Sequence, residues 1–232
     1  TFPLWYNQEV DGVRPDVRIM NSSYLGGEWY IDQMKTRAND APGVPFSLPS
    51  SKYTFVNDQL PVRQKVDRVV DIKELMNFIA SEEQATKLPL VDGTLIDYVP
   101  ARSIAIPVNK DNAIASGIVK EEDRDLMVDT VYVNIDERKR YIEKSEMMLL
   151  DMLANFDWNR PICFTQVYIL KDFGLLDYLQ YDGYAYRLVP ILTPYNSSRN
   201  IGRIDSERTY DLMMNTFRYG NMADEDVLAD HF

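Results

Sequence analysis

The chain has 232 residues, 45% hydrophobic and 12% aromatic, with 36 acidic against 25 basic residues and a formal charge of −11. This composition is that of a globular protein long enough to bury a sizeable core, and its acidic balance argues against a nucleic-acid or anionic-membrane surface as the main partner. A single cysteine, Cys163, and a single histidine, His231, exclude a disulfide framework, a cysteine zinc site and a histidine-based triad.

In chain order, "TFPLWYNQEVDGVRPDVRIMN" opens on a helix signal. Thr1 suits a cap and Pro3 a first turn, while Phe2, Trp5, Tyr6, Val10 and Val13 share one stripe. Gly12 suits the stop, and Val17 and Ile19 alternate with Arg18 and Met20 as in a short strand. So apolar a helix needs something to pack on, and the chain reads as a piece of a longer protein.

"GGEWYIDQMK" predicts a second helix and "DIKELMNFIAS" a third, the latter with Asp71 and Glu74 at capping-box spacing. From about 88 to 135 the texture is that of a β-hairpin-rich insertion. "LPLVDGTLIDYV", "RSIAIPV", "NKDNAIASGIV" and "LMVDTVYVNI" read as strands and hairpins there, with "VDG" and "NKDN" as turns. A long helix is expected over 137–156, with Lys139 and Glu143 paired outside. "RPICFTQ" then reads as a buried strand, with Cys163 a small buried hydrophobe, "GLLDYLQYDG" as a helix and "YAYRLVPIL" as a strand. A closing helix near "SERTYDLMMNTFRYG" stops at Gly220, ahead of an acidic tail.

Residues 2–20 laid over 173–191 share Phe, Leu and Asp-Gly positions and the same helix, Asp-Gly, strand order. With "RPICFTQ" ahead, the second copy predicts a β-α-β unit. By analogy the first copy lacks a strand expected just upstream of Thr1. The expected fold is therefore a single α/β domain over 1–232, with a Rossmann-like parallel or mixed sheet flanked by helices.

Gly-rich phosphate loops, a nucleophile elbow, HExxH and calcium-loop patterns are absent from the sequence. Glu28 and Asp32, four apart on one helix, are at acid–base spacing, but a solvated face explains them as well. "EEDRD" at 121–125 reads as a charged turn rather than a metal site. Trp5, Tyr6, Trp29 and Tyr30 have the flat faces that stack on sugar rings, or else staple helices to the sheet. Ligands of open parallel sheets gather beyond strand ends, which singles out Asn21, Ser22 and Ser23 and, later, Thr165 and Gln166. Strand-end capping explains the same residues. "NSS" at 21–23 and at 196–198 has the form of a glycosylation sequon. The candidate ligand-binding set is thus Tyr6, Asn21, Ser22, Trp29, Tyr30, Thr165 and Gln166, with no catalytic residue, metal or cofactor assigned.

"TFPLWYNQEVDGVRPDVRIMN", with "EWYIDQ", "DWNRPICFT" and "LQYDGYAYRLVPI", resembles the carboxyl-terminal part of the DUF2723 proteins, mostly from Bacteroidetes. At 21–29, "NSSYLGGEW" departs from that family's more apolar run. The resemblance implies a parent polytopic membrane glycosyltransferase related to the protein O-mannosyltransferases, whose catalytic acid lies outside this segment. It implies a periplasmic, non-catalytic domain for acceptor recognition or scaffolding. Its partners would be the membrane portion of the same chain and a glycan or protein acceptor, with no nucleic acid. A free-standing carbohydrate-binding or carbohydrate-modifying protein, and an interaction module without a small ligand, are the alternatives.

Overall fold

The structure is a computed structural model that describes residues 2–54, 58–198 and 202–219. His231, the Gly220 helix stop and the acidic tail lie outside the described residues.

The first helix forms as α1 (Phe2–Glu9), but of its apolar stripe only Trp5 packs against the core. Phe2 is 68% exposed and Tyr6 60%, and Val10 and Val13 lie beyond the helix end in open surface. The helix is held instead by buried Gln8, whose Nε2 donates to the carbonyls of Arg14 and Val17, both at 2.7 Å. The strand expected at Val17–Met20 is absent for a related reason. Val17 N–H bonds back to Arg14 and its carbonyl is taken by Gln8, so a ladder partner is not needed.

Helix α2 (Glu28–Lys35) buries Tyr30, Ile31 and Met34, as its spacing requires. After β1 (Gln59–Pro61) and β2 (Val70–Asp71), α3 (Ile72–Ala80) turns Ile72, Leu75, Met76 and Ile79 inward. Asp71 caps α3 by accepting from Lys73 N–H at 2.8 Å. The reciprocal half of the expected capping box is replaced, because Glu74 pairs with Arg68.

Strands β3 (Leu88–Pro89) and β4 (Leu95–Ile96) make the expected hairpin around Asp92 and Gly93, the latter at φ +84°. β5 (Ser103–Pro107) is also a strand, but "NKDN" starts α4 (Lys110–Ala115) rather than a hairpin, because Asn109 Oδ1 caps Asn112 N–H at 3.1 Å. β6 (Thr130–Asn134) follows. The helix expected over 137–156 is shorter. Residues 141–143 form β7 (Tyr141–Glu143), paired with β1 through Leu60 and Ile142, and α5 (Lys144–Asn155) begins with a Glu143–Glu146 capping box. Lys139 accordingly pairs with Glu146 and Asp172, not Glu143.

The last third holds the main correction. β8 (Cys163–Phe164) and α6 (Tyr168–Lys171) precede β9 (Leu179–Asp182) and β10 (Ala185–Leu188), which form a hairpin across Gly183 at φ +66°. "LQYD" is therefore a strand, and β8 runs antiparallel to β10, so the expected β-α-β unit is not made. Being a two-residue edge strand, β8 leaves Cys163 with exposed surface instead of burying it. β11 (Arg203–Ile204) pairs in parallel with β9, and α7 (Ser206–Asp211) runs on into a π-helical turn at Leu212–Thr216.

The described sheets are small. One has the order β11-β9-β10-β8, one β2-β5-β6 with β2 parallel to β5, and two are strand pairs. The result is a mixed α/β architecture of several small sheets and helices, and among the described residues no sheet is all-parallel as a Rossmann-like one would be. One contiguous core joins α3 and α5 to β5 and β6 through Leu75, Ile104, Val131, Met148 and Leu150. Two buried polar anchors hold loops onto it. Asp151 accepts from Ser47 N–H at 2.8 Å and Leu48 N–H at 3.1 Å, while Lys52 and Lys87 both pair with buried Asp97.

Candidate functional site

The candidates from the first strand end and from α2 converge. Asn21 accepts from Ser23 N–H at 3.1 Å and so starts a tight 3-10 turn, Ser22–Gly26. Gly27 closes that turn and leads directly into α2. The backbone N–H of Asn21 donates to the Tyr30 hydroxyl at 2.8 Å. Tyr30 is thus a buried post under the turn, not a surface ligand group. Burial raises its hydroxyl pKa, against the opposing effects of the Asn21 N–H and the nearby Arg18 charge.

Above Tyr30 the aromatic rings form a shelf. Trp29 meets Tyr30 edge-on at 5.5 Å and Tyr24 at 6.4 Å, and Trp5 of α1 stacks on Tyr24 at 6.3 Å. Trp29 is 66% exposed, so its indole face is available. Gly27 makes this placement fit, since a Cβ there would lie 2.9 Å from Trp29 Nε1. Polar groups border the shelf. Ser22 Oγ lies 3.4 Å from the Tyr168 hydroxyl, a contact between residues far apart in sequence. Arg18 Nε is buried without a hydrogen-bond partner among the described residues.

Thr165 and Gln166 are exposed in the connection from β8 to α6, just ahead of Tyr168. Tyr6 lies on α1 beside Trp5, exposed to solvent. The shelf therefore gathers Asn21, Ser22, Trp29 and the underlying Tyr30, while Tyr24 and Tyr168 join it without having been singled out. Tyr24 carried a weak signal, an aromatic in a Gly/Ser turn. Tyr168 carried none, because its place depends on a contact between distant segments.

The carboxylate pair on α2 is divided between roles. Asp32 accepts from the Tyr53 hydroxyl at 2.6 Å, Lys35 Nζ donates to that hydroxyl at 2.8 Å, and Glu28 is exposed. "EEDRD" lies in a 3-10 turn, Glu121–Leu126, in which Arg124 pairs with Glu121 and Asp111 while Asp123 pairs with Arg203. Although the residue keeps exposed surface, the atoms packed around the Cys163 thiol desolvate it and raise its pKa, which disfavours the thiolate. Among the described residues no three or more His, Cys, Asp or Glu side chains are grouped to hold a metal, and no helix is long and apolar enough to cross a membrane. Chemically, the shelf offers stacking faces with hydroxyl and amide donors at their edge.

The family model described as TMEM260-associated domain 2 matches residues 1–208. No curated protein and no solved structure matches the chain.

Proposed function

Since the chain belongs to the TMEM260-associated domain 2 family, which is linked to a family of membrane proteins, we propose that it is an extramembrane, non-catalytic domain of a membrane glycosyltransferase, with an acceptor glycan held on the aromatic shelf. The observation that carries the reading is the exposed Trp29 indole, backed by Tyr24 and Tyr30 and edged by Ser22 and Tyr168. A flat aromatic face packs on the C–H face of a sugar ring while edge hydroxyls take the sugar's hydroxyl groups. The likeness of "TFPLWYNQEVDGVRPDVRIMN" and "DWNRPICFT" to the DUF2723 proteins supports the glycosyltransferase parent and a periplasmic location at the inner membrane. In this reading the membrane portion of the same chain is the partner, and the chemistry belongs to it.

The test is titration with mannose, α-linked mannose oligosaccharides and a mannosylated peptide, followed by tryptophan emission and calorimetry. Saturable binding that Trp29→Ala weakens by about tenfold is expected, since one aromatic pair contributes about 0.5–1.5 kcal/mol beyond its buried area. Sugar binding of equal strength in Trp29→Ala would remove the shelf from the account. A second reading, an interaction module without a small ligand, draws on the exposed Phe2, Leu4 and Tyr6 of α1. It predicts no sugar response and a loss of association with the membrane portion in Phe2→Ser/Tyr6→Ser.

A further inference from the structure

Away from the aromatic shelf, β1 and β7 border a cleft of ≈ 370 Å³ lined by Gln59, Pro61, Arg63, Arg140 and Tyr141. Its volume falls within the ~300–1,000 Å³ range of small-ligand sites. The unusual feature is its charge. With 36 acids to 25 bases, this chain has carboxylates to spare for every cation. In the flanking segments of the chain, Arg68 pairs with Glu74, Arg138 with Asp136, and Lys139 with Glu146 and Asp172. The side chains of Arg63 and Arg140 make no hydrogen bond or ion pair within the described residues, and both residues are exposed.

The backbone that carries these cations is fixed. Val62 N–H donates to Arg140 C=O at 2.9 Å, which extends the β1–β7 pairing and sets the two arginines on adjacent segments at its end. Arg102 holds the turn before β7, its Nη1 donating to Asp136 C=O at 2.6 Å and its Nη2 to Lys139 C=O at 3.0 Å. A guanidinium presents a planar fork of donors that matches the oxygens of a phosphate, and a pair of them neutralises its two charges. Tyr141 and Gln59 add neutral donors at the same cleft.

We propose that the β1–β7 cleft binds a phosphate ester through Arg63 and Arg140. This is a site of its own and does not depend on the shelf's holding a sugar. The ester can be a free phosphorylated metabolite or the phosphate of an anionic lipid. The overall negative charge opposes any anion at long range, so binding weakens little on adding modest salt and is carried by the local contacts.

Thermal unfolding in sodium phosphate and in pyrophosphate, against sodium chloride at matched ionic strength, tests the cleft. Co-sedimentation with phosphatidylglycerol vesicles, against phosphatidylcholine vesicles, tests the lipid source. Phosphate or pyrophosphate is expected to raise Tm by about 3–6 °C at roughly ten times its Kd, and Arg63→Gln/Arg140→Gln to abolish the rise. Lys171→Gln/Arg218→Gln, which removes the same charge from exposed cations elsewhere, should keep it. Because Arg63 and Arg140 are exposed and unpaired, their replacement leaves the fold intact, which the Tm in chloride reports. Vesicle binding without a phosphate response assigns the lipid headgroup, provided that the arginine variant loses it. Equal Tm in phosphate and chloride together with no selective vesicle binding overturns the proposal, as does a response that the arginine variant retains.

Discussion

Helix α3 turns Ile72, Leu75, Met76 and Ile79 into the core, whereas α1 holds Phe2, Leu4 and Tyr6 in solvent and is fixed chiefly by Trp5 and the buried amide of Gln8. Both helices are short and rich in apolar residues, and the difference is in what faces them. α3 packs against α5 between two sheet elements, so its stripe is covered. α1 touches the rest of the protein through Trp5 on Tyr24, through Gln8 and through Glu9, which accepts from the Asn39 amide at 2.9 Å, and Phe2, Leu4 and Tyr6 stay exposed. Apolar spacing alone thus does not tell whether a helix stripe is covered; the neighbouring elements decide it.

The largest expected effect tests that contrast directly. Leu75→Ala should cost about 3 kcal/mol by chemical denaturation, the usual range for a buried leucine, while Phe2→Ala should change stability by less than about 0.5 kcal/mol. Equal losses would mean that α1 is packed after all. Next comes Gly43, where α2 meets the following loop. A Cβ there would lie 2.1 Å from Lys35 C=O, a backbone atom that cannot swing aside, and Val44 N–H bonds Met34 C=O at 2.8 Å next to it. Gly43→Ala is expected to cost about 2 kcal/mol or more, because backbone must move. Gln8→Ala comes third, at about 1 kcal/mol, since it leaves the carbonyls of Arg14 and Val17 without their donor. Hydrogen exchange should then accelerate in α1 alone, while α3 keeps its protection.

Legibility followed the same division. α2, α3, the 88–96 hairpin, β5 and β6 were readable because each combines local periodicity with a cap or turn that agrees with it. β7 was read as helix because "ERKRYIEK" has helical spacing of charges, and only the pairing of Ile142 with Leu60, which is non-local, makes it a strand. The β9–β10 hairpin was missed because "GLLDYLQYDG" offers helix spacing and strand spacing together, and the partner strand decided between them. At the site, Trp29, Asn21 and Ser22 were visible as residue types near a chain turn. Tyr168 was not, because a Ser22–Tyr168 contact leaves no local mark in either segment. The unpaired state of Arg63 and Arg140 was equally hidden, for charge alone does not tell which cations have found a carboxylate.

The smallest effect on stability has the sharpest bearing on function. Gly27 has φ −97°, a conformation open to any residue, so alanine there brings no backbone strain. Its Cβ meets the edge of the Trp29 indole, at 2.9 Å from Nε1 and 3.3 Å from Cδ1, an exposed side chain that can rotate away, and the Tyr24 carbonyl oxygen only at an ordinary contact distance of 3.4 Å. Gly27→Ala should therefore alter stability by only about 0.5 kcal/mol, within the range of surface substitutions. Trp29 must nevertheless leave its place against Tyr30 and Tyr24, so its emission should shift and the shelf lose its flat face. If the shelf holds sugars, Gly27→Ala weakens them nearly as much as Trp29→Ala with the fold unchanged. If the rings only brace α1 on α2, the emission shifts, sugar titrations stay as they were, and exchange in α1 accelerates instead.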